Sequence, residues 1–295
     1  MDVPLTDNTK LKEIIRKLCA TKIRTPLTME RVRTWLKQFI TLEEQTLALL
    51  ILKNLIYRNS AQIESSLRQA LKEAALHFET PETEEISYDW RRVLSNKRPL
   101  RSGKFFFFAP PIIEGVTPPG KSGELIARLL HSNFGIDRSY QTYCGNRKLP
   151  DDEYLLIVDD GSFTGTQISE VLTRCGDLMR GHQRGGIVLS IVHQTAINRL
   201  EIDFPDVKVF YGELLTEKDN FEQVCKSWVA NKVWPHEHID PFYLYMDIAR
   251  RAEMPDAAAG WGKLGLMVVY EHGIPDNTLP LLWTRSTNWE PLFER

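Results

Sequence analysis

Three unbroken apolar runs fix most of what this chain can become. Phe105–Phe108 is followed by Pro110-Pro111, Tyr154–Val158 runs into Asp159-Asp160, and Gly186–Val192 reads GIVLSIV. None alternates with polar residues, so each reads as a strand buried on both faces. Between them lie segments with helical spacing. Gly123–His131 carries Leu125, Ile126, Leu129 and Leu130, and Thr166–Met179 reads as a further helix. Val207–Tyr211 and Leu266–Tyr270 are weaker strand candidates. Buried strands alternating with helices specify an α/β fold with a parallel sheet flanked by helices. In such sheets ligands bind beyond the carboxyl ends of the strands.

The first 80 residues have a different character. No Gly occurs before Gly103, and after Pro26 the next Pro is Pro81. Val32, Trp35, Leu36 and Phe39 fall on one helical face. Thr41-Leu-Glu-Glu44 is a capping box ahead of a buried helix that runs to about Tyr57. Asn59 or Ser60 then caps a helix bearing Ile63, Leu67, Ala70, Leu71 and Ala74. The acidic stretch TPETEEIS, residues 80–87, reads as a linker. The expectation is an all-α N-terminal module over 1–85 and an α/β domain over 86–295.

Composition narrows the function classes. A chain of 295 residues with 42% apolar and 26% charged residues has ample core for one large or two modest domains. A net charge of −2 points to neither a nucleic-acid nor a membrane surface. The N-terminus lacks the apolar core of a secretory signal, and the aliphatic run Leu47–Leu52 is far too short to span a bilayer. Cys19, Cys144, Cys175 and Cys225 form no C-x-x-C pair, as expected of reduced thiols in a cytoplasmic protein.

Two loops carry chemistry. Gly115–Ser122, GVTPPGKS, matches the phosphate-loop pattern G-x-x-x-x-G-K-[ST], and LLIVDD at 155–160 could supply the magnesium-binding acid of an NTPase. Such a loop works because successive backbone N–H groups wrap the phosphates. Pro118 and Pro119 have no N–H to give. The second loop lies in YLLIVDDGSFTGTQ, residues 154–167. A buried strand delivers two carboxylates, then Thr164-Gly165-Thr166 opens a helix whose N-terminus favours a phosphate. The pair Asp159-Asp160 suits sugar hydroxyls or a hydrated Mg2+.

LLIVDDGSFTGT resembles the phosphoribosyl-pyrophosphate (PRPP) motif of type I phosphoribosyltransferases. The resemblance implies that Asp159 and Asp160 serve the ribose hydroxyls and the metal. It also implies that Phe163, Thr164, Gly165, Thr166 and Gln167 wrap the 5′-phosphate. Gln167 stands where that family usually has Thr or Ser, and Gly161 where it often has an aliphatic residue. The first loop then becomes a pyrophosphate loop, with Gly120, Lys121, Ser122 and Gly123 supplying charge and N–H groups. More widely, VRTWLKQFITLEEQTLALLILKNLIY, the KSG loop, DDGSFTGTQ and the tail GLMVVYEHGIPDNTLPLLW resemble the phosphoribosyltransferase-like family of bacterial conflict systems. Its members resemble effectors encoded beside retron reverse transcriptases and other anti-phage modules. That resemblance implies an effector or toxin role in defence and a protein partner, such as a reverse transcriptase with its nucleic acid.

Other features have plainer readings. His236–Asp240, HEHID, reads as a surface loop rather than a metal site, and His193 and His272 as structural. Arg128 reads as a solvated charge, and residues 274–283 as a turn and core segment rather than a hood over a base. Three functions stay open: an enzyme acting on a ribosyl phosphate, a catalytically silent binding or scaffold subunit, and a P-loop NTPase.

Overall fold

The computed structural model describes residues 8–78, 90–97, 100, 103–113, 115–117, 122–143, 153–174, 185–254 and 258–294. The chain forms two compact units: Met1–Ser60 with Thr216–Arg295, and Ala61–Leu215. The boundary expected at residue 85 lies outside the described residues.

The first unit joins the beginning of the chain to its end. Helices α1 (Asn8–Ala20), α2 (Met29–Leu36) and α3 (Leu42–Asn54) share one core with α9 (Phe221–Ala230), α10 (Pro241–Arg251) and the tail. Trp35, Phe39 and Trp289 meet edge to face, with centroids 4.7, 5.3 and 6.2 Å apart. Both indole N–H groups donate to the Leu281 carbonyl, at 3.2 and 2.8 Å. The rings thus bury their area without stranding a donor. Thr41 caps α3 by accepting from the Glu44 N–H at 3.2 Å. Glu44 reaches past the cap to the Ile40 N–H at 2.6 Å and pairs with Arg251 at 2.7 Å.

Helix α3 stops at Asn54, earlier than its apolar run. The buried Arg24 guanidinium donates to the carbonyls of Leu52, Lys53 and Leu55, the orphan acceptors of a helix end. The next residues become a strand, β1 (Ile56–Arg58), parallel to β6 (Val268–Tyr270). The Leu266–Tyr270 candidate therefore belongs to a two-stranded ribbon and not to the main sheet. The segment 274–283 is buried turn and 3-10 helix, and its Thr278 hydroxyl donates to the Val268 carbonyl at 2.6 Å.

The second unit is the parallel α/β sheet that the apolar runs specify. Strands β2 (Phe106–Ala109), β3 (Tyr154–Ser162), β4 (Gly185–His193) and β5 (Lys208–Leu215) lie in that order, all parallel. One face carries Phe107, Leu155, Ile157, Ile187 and Leu189. It packs on α7 (Thr166–Arg174) and α8 (Gln194–Asp203) through Ile168, Val171, Leu172, Ala196 and Leu200. The other face is covered by α4 (Ser60–Phe78). Phe78 lies 5.9 Å from Phe106, 4.8 Å from Tyr154 and 6.0 Å from Phe210. A short helix, α5 (Trp90–Leu94), precedes β2, and α6 (Ser122–Ser132) follows it. Among the described residues no helix is long and apolar enough to cross a membrane.

Strand β3 runs four residues beyond Val158, because β4 reaches His193 and keeps offering partners: Asp159↔Leu189, Gly161↔Ile191, Ser162↔Val192. The two acids therefore sit inside a paired, buried strand. Helix α4 approaches β5 so closely that a Cβ on Gly212 would lie 2.5 Å from the Ser66 carbonyl oxygen. Gly212→Ala should destabilise the second unit by about 1–3 kcal/mol, the usual cost of overpacking. Urea denaturation should show a lower midpoint at unchanged slope.

Candidate functional site

Strand β2 is bonded on both edges. On one, Phe105 accepts from the Tyr154 N–H at 3.1 Å and Phe108 is in register with Leu156. On the other, Phe108 accepts from the Thr142 N–H at 2.9 Å, and Gln141 forms a parallel bridge to it. The connection through α6 thus returns on the side of β2 away from β3. The connections through α7 and α8 step the opposite way, to β4 and β5. Helix α6 ends beside α4, where Asn133 bonds Glu64 at 2.7 Å and Arg68 lies 5.2 Å from the Phe134 ring centre. Helices α7 and α8 cover the other face, as right-handed crossovers require. The strand order therefore reverses between β2 and β3, and a crevice opens at their carboxyl ends.

Both chemically unusual loops lead into that crevice. The first connects Ala109 to Ser122, and a Cβ on Gly123 would lie 2.9 Å from Ile112 and 3.2 Å from Pro110, so α6 starts against its own loop. The second leaves β3 at Ser162 and enters α7 at Thr166 through Gly165, whose φ is +75°. They meet at Asp159, where the Ser122 hydroxyl donates to Oδ1 at 3.4 Å and the Asp160 N–H donates to the same oxygen at 2.9 Å. Asp159 and Asp160 are 2% and 6% exposed. Burial drives the Asp159 pKa well above the usual carboxylate range, and the neighbouring Asp160 charge pushes it the same way.

The site brings together most of the residues expected of it. Asp159, Asp160, Ser122, Gly123, Phe163, Thr164, Gly165 and Thr166 line the strand ends and helix starts of the second unit. Phe163 and Gly165 are buried, Thr164 and Thr166 half-buried, and Gln167 exposed. Gly120, Lys121 and both prolines of GVTPPGKS lie outside the described residues. Two contributors escaped sequence reading. Arg199 of α8 donates to the Thr166 hydroxyl at 2.9 Å. Ser190 stands level with Asp160 on β4, and its buried hydroxyl has no partner among the described residues. The only signal for Arg199 is its place two turns into the helix that follows β4.

The histidines singled out in the sequence make local contacts. His193 caps α8, its Nδ1 accepting the Thr195 N–H at 3.1 Å. In HEHID, Asp240 caps α10 and His236 Nε2 lies 3.0 Å from the Thr46 hydroxyl. Among the described residues no group of three or more His, Cys, Asp or Glu side chains is placed to hold a metal ion. A separate cavity of about 110 Å3 in the first unit is lined by Phe221, Phe242, Tyr245 and Lys263, among others, and shares no residue with the two loops.

The PRTase-CE family model, which describes a phosphoribosyltransferase-like family, matches residues 32–295. The chain belongs to the PRTase-CE family. The match runs through both units and both loops of this PRTase-CE chain. No curated protein matches it. Among solved structures it is similar to the AQ2163 protein of Aquifex aeolicus, at 16% identity over 63% of this chain and 83% of that one. The TM-score is 0.27.

An acid whose folded pKa is raised binds protons more tightly folded than unfolded, so stability falls as pH rises past the unfolded value. Asp159→Asn removes that penalty. It should raise unfolding stability at pH 7 by about 0.5–2 kcal/mol, as stabilising substitutions commonly do. The gain should shrink as pH falls toward 4 and vanish below it, where the unfolded aspartate also takes up its proton. Denaturant titrations at pH 4, 5.5 and 7 would check this; an Asn variant that is less stable at pH 7 contradicts it.

Proposed function

We propose that this chain binds PRPP or a related ribosyl phosphate in the crevice between β2 and β3, and breaks or transfers its ribosyl bond. The observation that carries the reading is the meeting of the two loops at a reversal of strand order, with Ser122 of one bonded to Asp159 of the other. In this reading Thr164, Gly165, Thr166 and Gln167 at the start of α7 hold the 5′-phosphate. Asp159 and Asp160 hold the ribose hydroxyls. Gly120, Lys121, Ser122 and Gly123 receive the pyrophosphate.

The donor chemistry fits Mg2+ carried by the diphosphate. Two adjacent buried carboxylates repel one another, and a cation near them relieves that repulsion. Among the described residues no cluster of three ligands forms, so the metal would use phosphate oxygens as well as Asp159 and Asp160. When bound, magnesium supplies charge to the departing pyrophosphate. The protein's own part is positional. As the C1–O bond breaks, its electron pair leaves with pyrophosphate, and the Lys121 ammonium stabilises that charge. The carboxylates hold the ribose as its ring becomes cationic. An acceptor nitrogen or water then bonds to C1 and gives up its proton.

The exposed Gln167, where related motifs place a small hydroxyl residue, favours a second reading: a subunit that binds the ligand without turning it over. The family resemblance supports a cytoplasmic effector of an anti-phage system, acting with a protein partner such as a retron reverse transcriptase.

Calorimetry with PRPP–Mg2+ and ATP–Mg2+ tests the site. PRPP should bind, and Asp159→Asn with Asp160→Asn should weaken it by about 100-fold or more, as expected when charged hydrogen bonds are lost together. Release of pyrophosphate, abolished in that double variant, selects the enzyme over the silent subunit. Tight ATP binding that needs Lys121 and tolerates the double aspartate change would overturn both. In cells carrying the neighbouring genes, the same double variant should abolish any protection from phage, scored by plaque counts.

A further inference from the structure

We propose that Arg199 completes the phosphate end of this site and makes it selective for a phosphate monoester dianion. The inference rests on reading residues 163–167 as the ribosyl-phosphate loop, and it adds a residue from a different helix. Arg199 lies on α8, whose Ala196, Ile197 and Leu200 are buried against the sheet. The helix abuts the loop at Gly165, where a Cβ would lie 3.3 Å from both the Ala196 carbonyl oxygen and Arg199 Cδ. The glycine therefore serves its left-handed backbone and also lets the arginine stem lie flat against the loop.

The hydrogen bonds orient this loop from one end. Arginine only donates, so Arg199 Nη1, 2.9 Å from Thr166 Oγ1, makes that hydroxyl an acceptor. Thr164 Oγ1 lies 3.1 Å from Thr166 Oγ1, and one of the two hydroxyls donates to the other. Whichever does, one hydroxyl proton is left over for a ligand. Arg199 Nε makes an exposed contact to Asp203 at 3.4 Å, one helical turn on. Such pairs are weak and do not hold an arginine against a better acceptor. Among the described residues the remaining Arg199 N–H groups have no other bonded acceptor. A planar fork with spare donors, next to two hydroxyls and a helix N-terminus, suits a phosphate with two negative charges. Arg199 is 43% exposed, so it can swing onto a ligand without leaving a buried charge behind.

The test is calorimetry of the full chain with ribose 5-phosphate and, separately, with Mg2+–pyrophosphate. Arg199→Ala should weaken ribose 5-phosphate binding about 10- to 100-fold, the range for a lost charged hydrogen bond. It should leave pyrophosphate binding within about twofold, since that ligand's end lies at the other loop. Arg199→Lys, which keeps charge but loses the fork, should recover part of the loss. Thermal denaturation of both variants checks that the fold is intact. If Arg199→Ala binds ribose 5-phosphate as the natural chain does, or weakens both ligands equally, the proposal is overturned. If the natural chain binds neither ribose 5-phosphate nor PRPP, the reading of the loop itself fails, and this proposal with it.

Discussion

Everything specific about this protein depends on β2 being bonded along both edges. Alternate carbonyls of a strand point to opposite sides, so Phe105 can face β3 while Phe108 faces Thr142. That local geometry decides the topology. It sends one connection out through α6 and the other through α7, on opposite faces of the sheet. The residues that leave β2 and β3 at their carboxyl ends, 162–166 among them, lie beside the crevice. The site is thus a consequence of strand order before it is a consequence of any motif.

The acid pair shows what that position costs. A continuous apolar strand that keeps pairing through two carboxylates violates its own burial pattern. Local rules are expected to fail at functional sites. Here the failure has a measurable form, an Asp159 carboxyl pushed toward its protonated state by burial and by its neighbour. The Asp160 N–H and the Ser122 hydroxyl answer only part of that penalty. Protonation relieves the rest, and a bound group bringing positive charge or hydroxyl donors would do so too. The proposed magnesium-bound sugar phosphate would bring both.

Much of this was legible in the residues, and the gaps have physical causes. Continuous apolar runs located β2, β3 and β4 and the parallel sheet, because burial on both faces leaves a pattern that needs no long-range information. Strand ends were not legible: β3 outlasts its apolar run only because β4 extends beside it. The composition of the first unit was equally opaque, since the affinity of Trp35 and Phe39 for Trp289 spans some 250 residues of sequence. The early end of α3 depends on Arg24, a residue with no helix signal at all. Within the site, Asp159 and Thr164–Thr166 announced themselves as a contiguous stretch. Arg199 arrives from the next helix, and contiguity could not reveal it.

The letter match of GVTPPGKS to a phosphate loop fails for a reason that the structure makes sharper. In that architecture the first glycine follows the strand and every amide up to the helix faces phosphate. Here β2 ends at Ala109 and α6 starts at Ser122, a connection longer than the eight-residue pattern. The amides of Val116 and Thr117 are turned inward, both donating to the Ile113 carbonyl at 3.1 and 2.8 Å. The Thr117 hydroxyl closes the same turn by accepting from the Ile113 N–H at 2.8 Å. Residues 118 and 119 are prolines and have no amide hydrogen. Four consecutive positions therefore cannot cradle a nucleotide, whatever the conformation of the residues beyond them. The donors left at the helix start can serve one end of a ligand. In the proposed function the other end is held by the loop that Gly165 and Arg199 shape, the neighbour across the strand reversal.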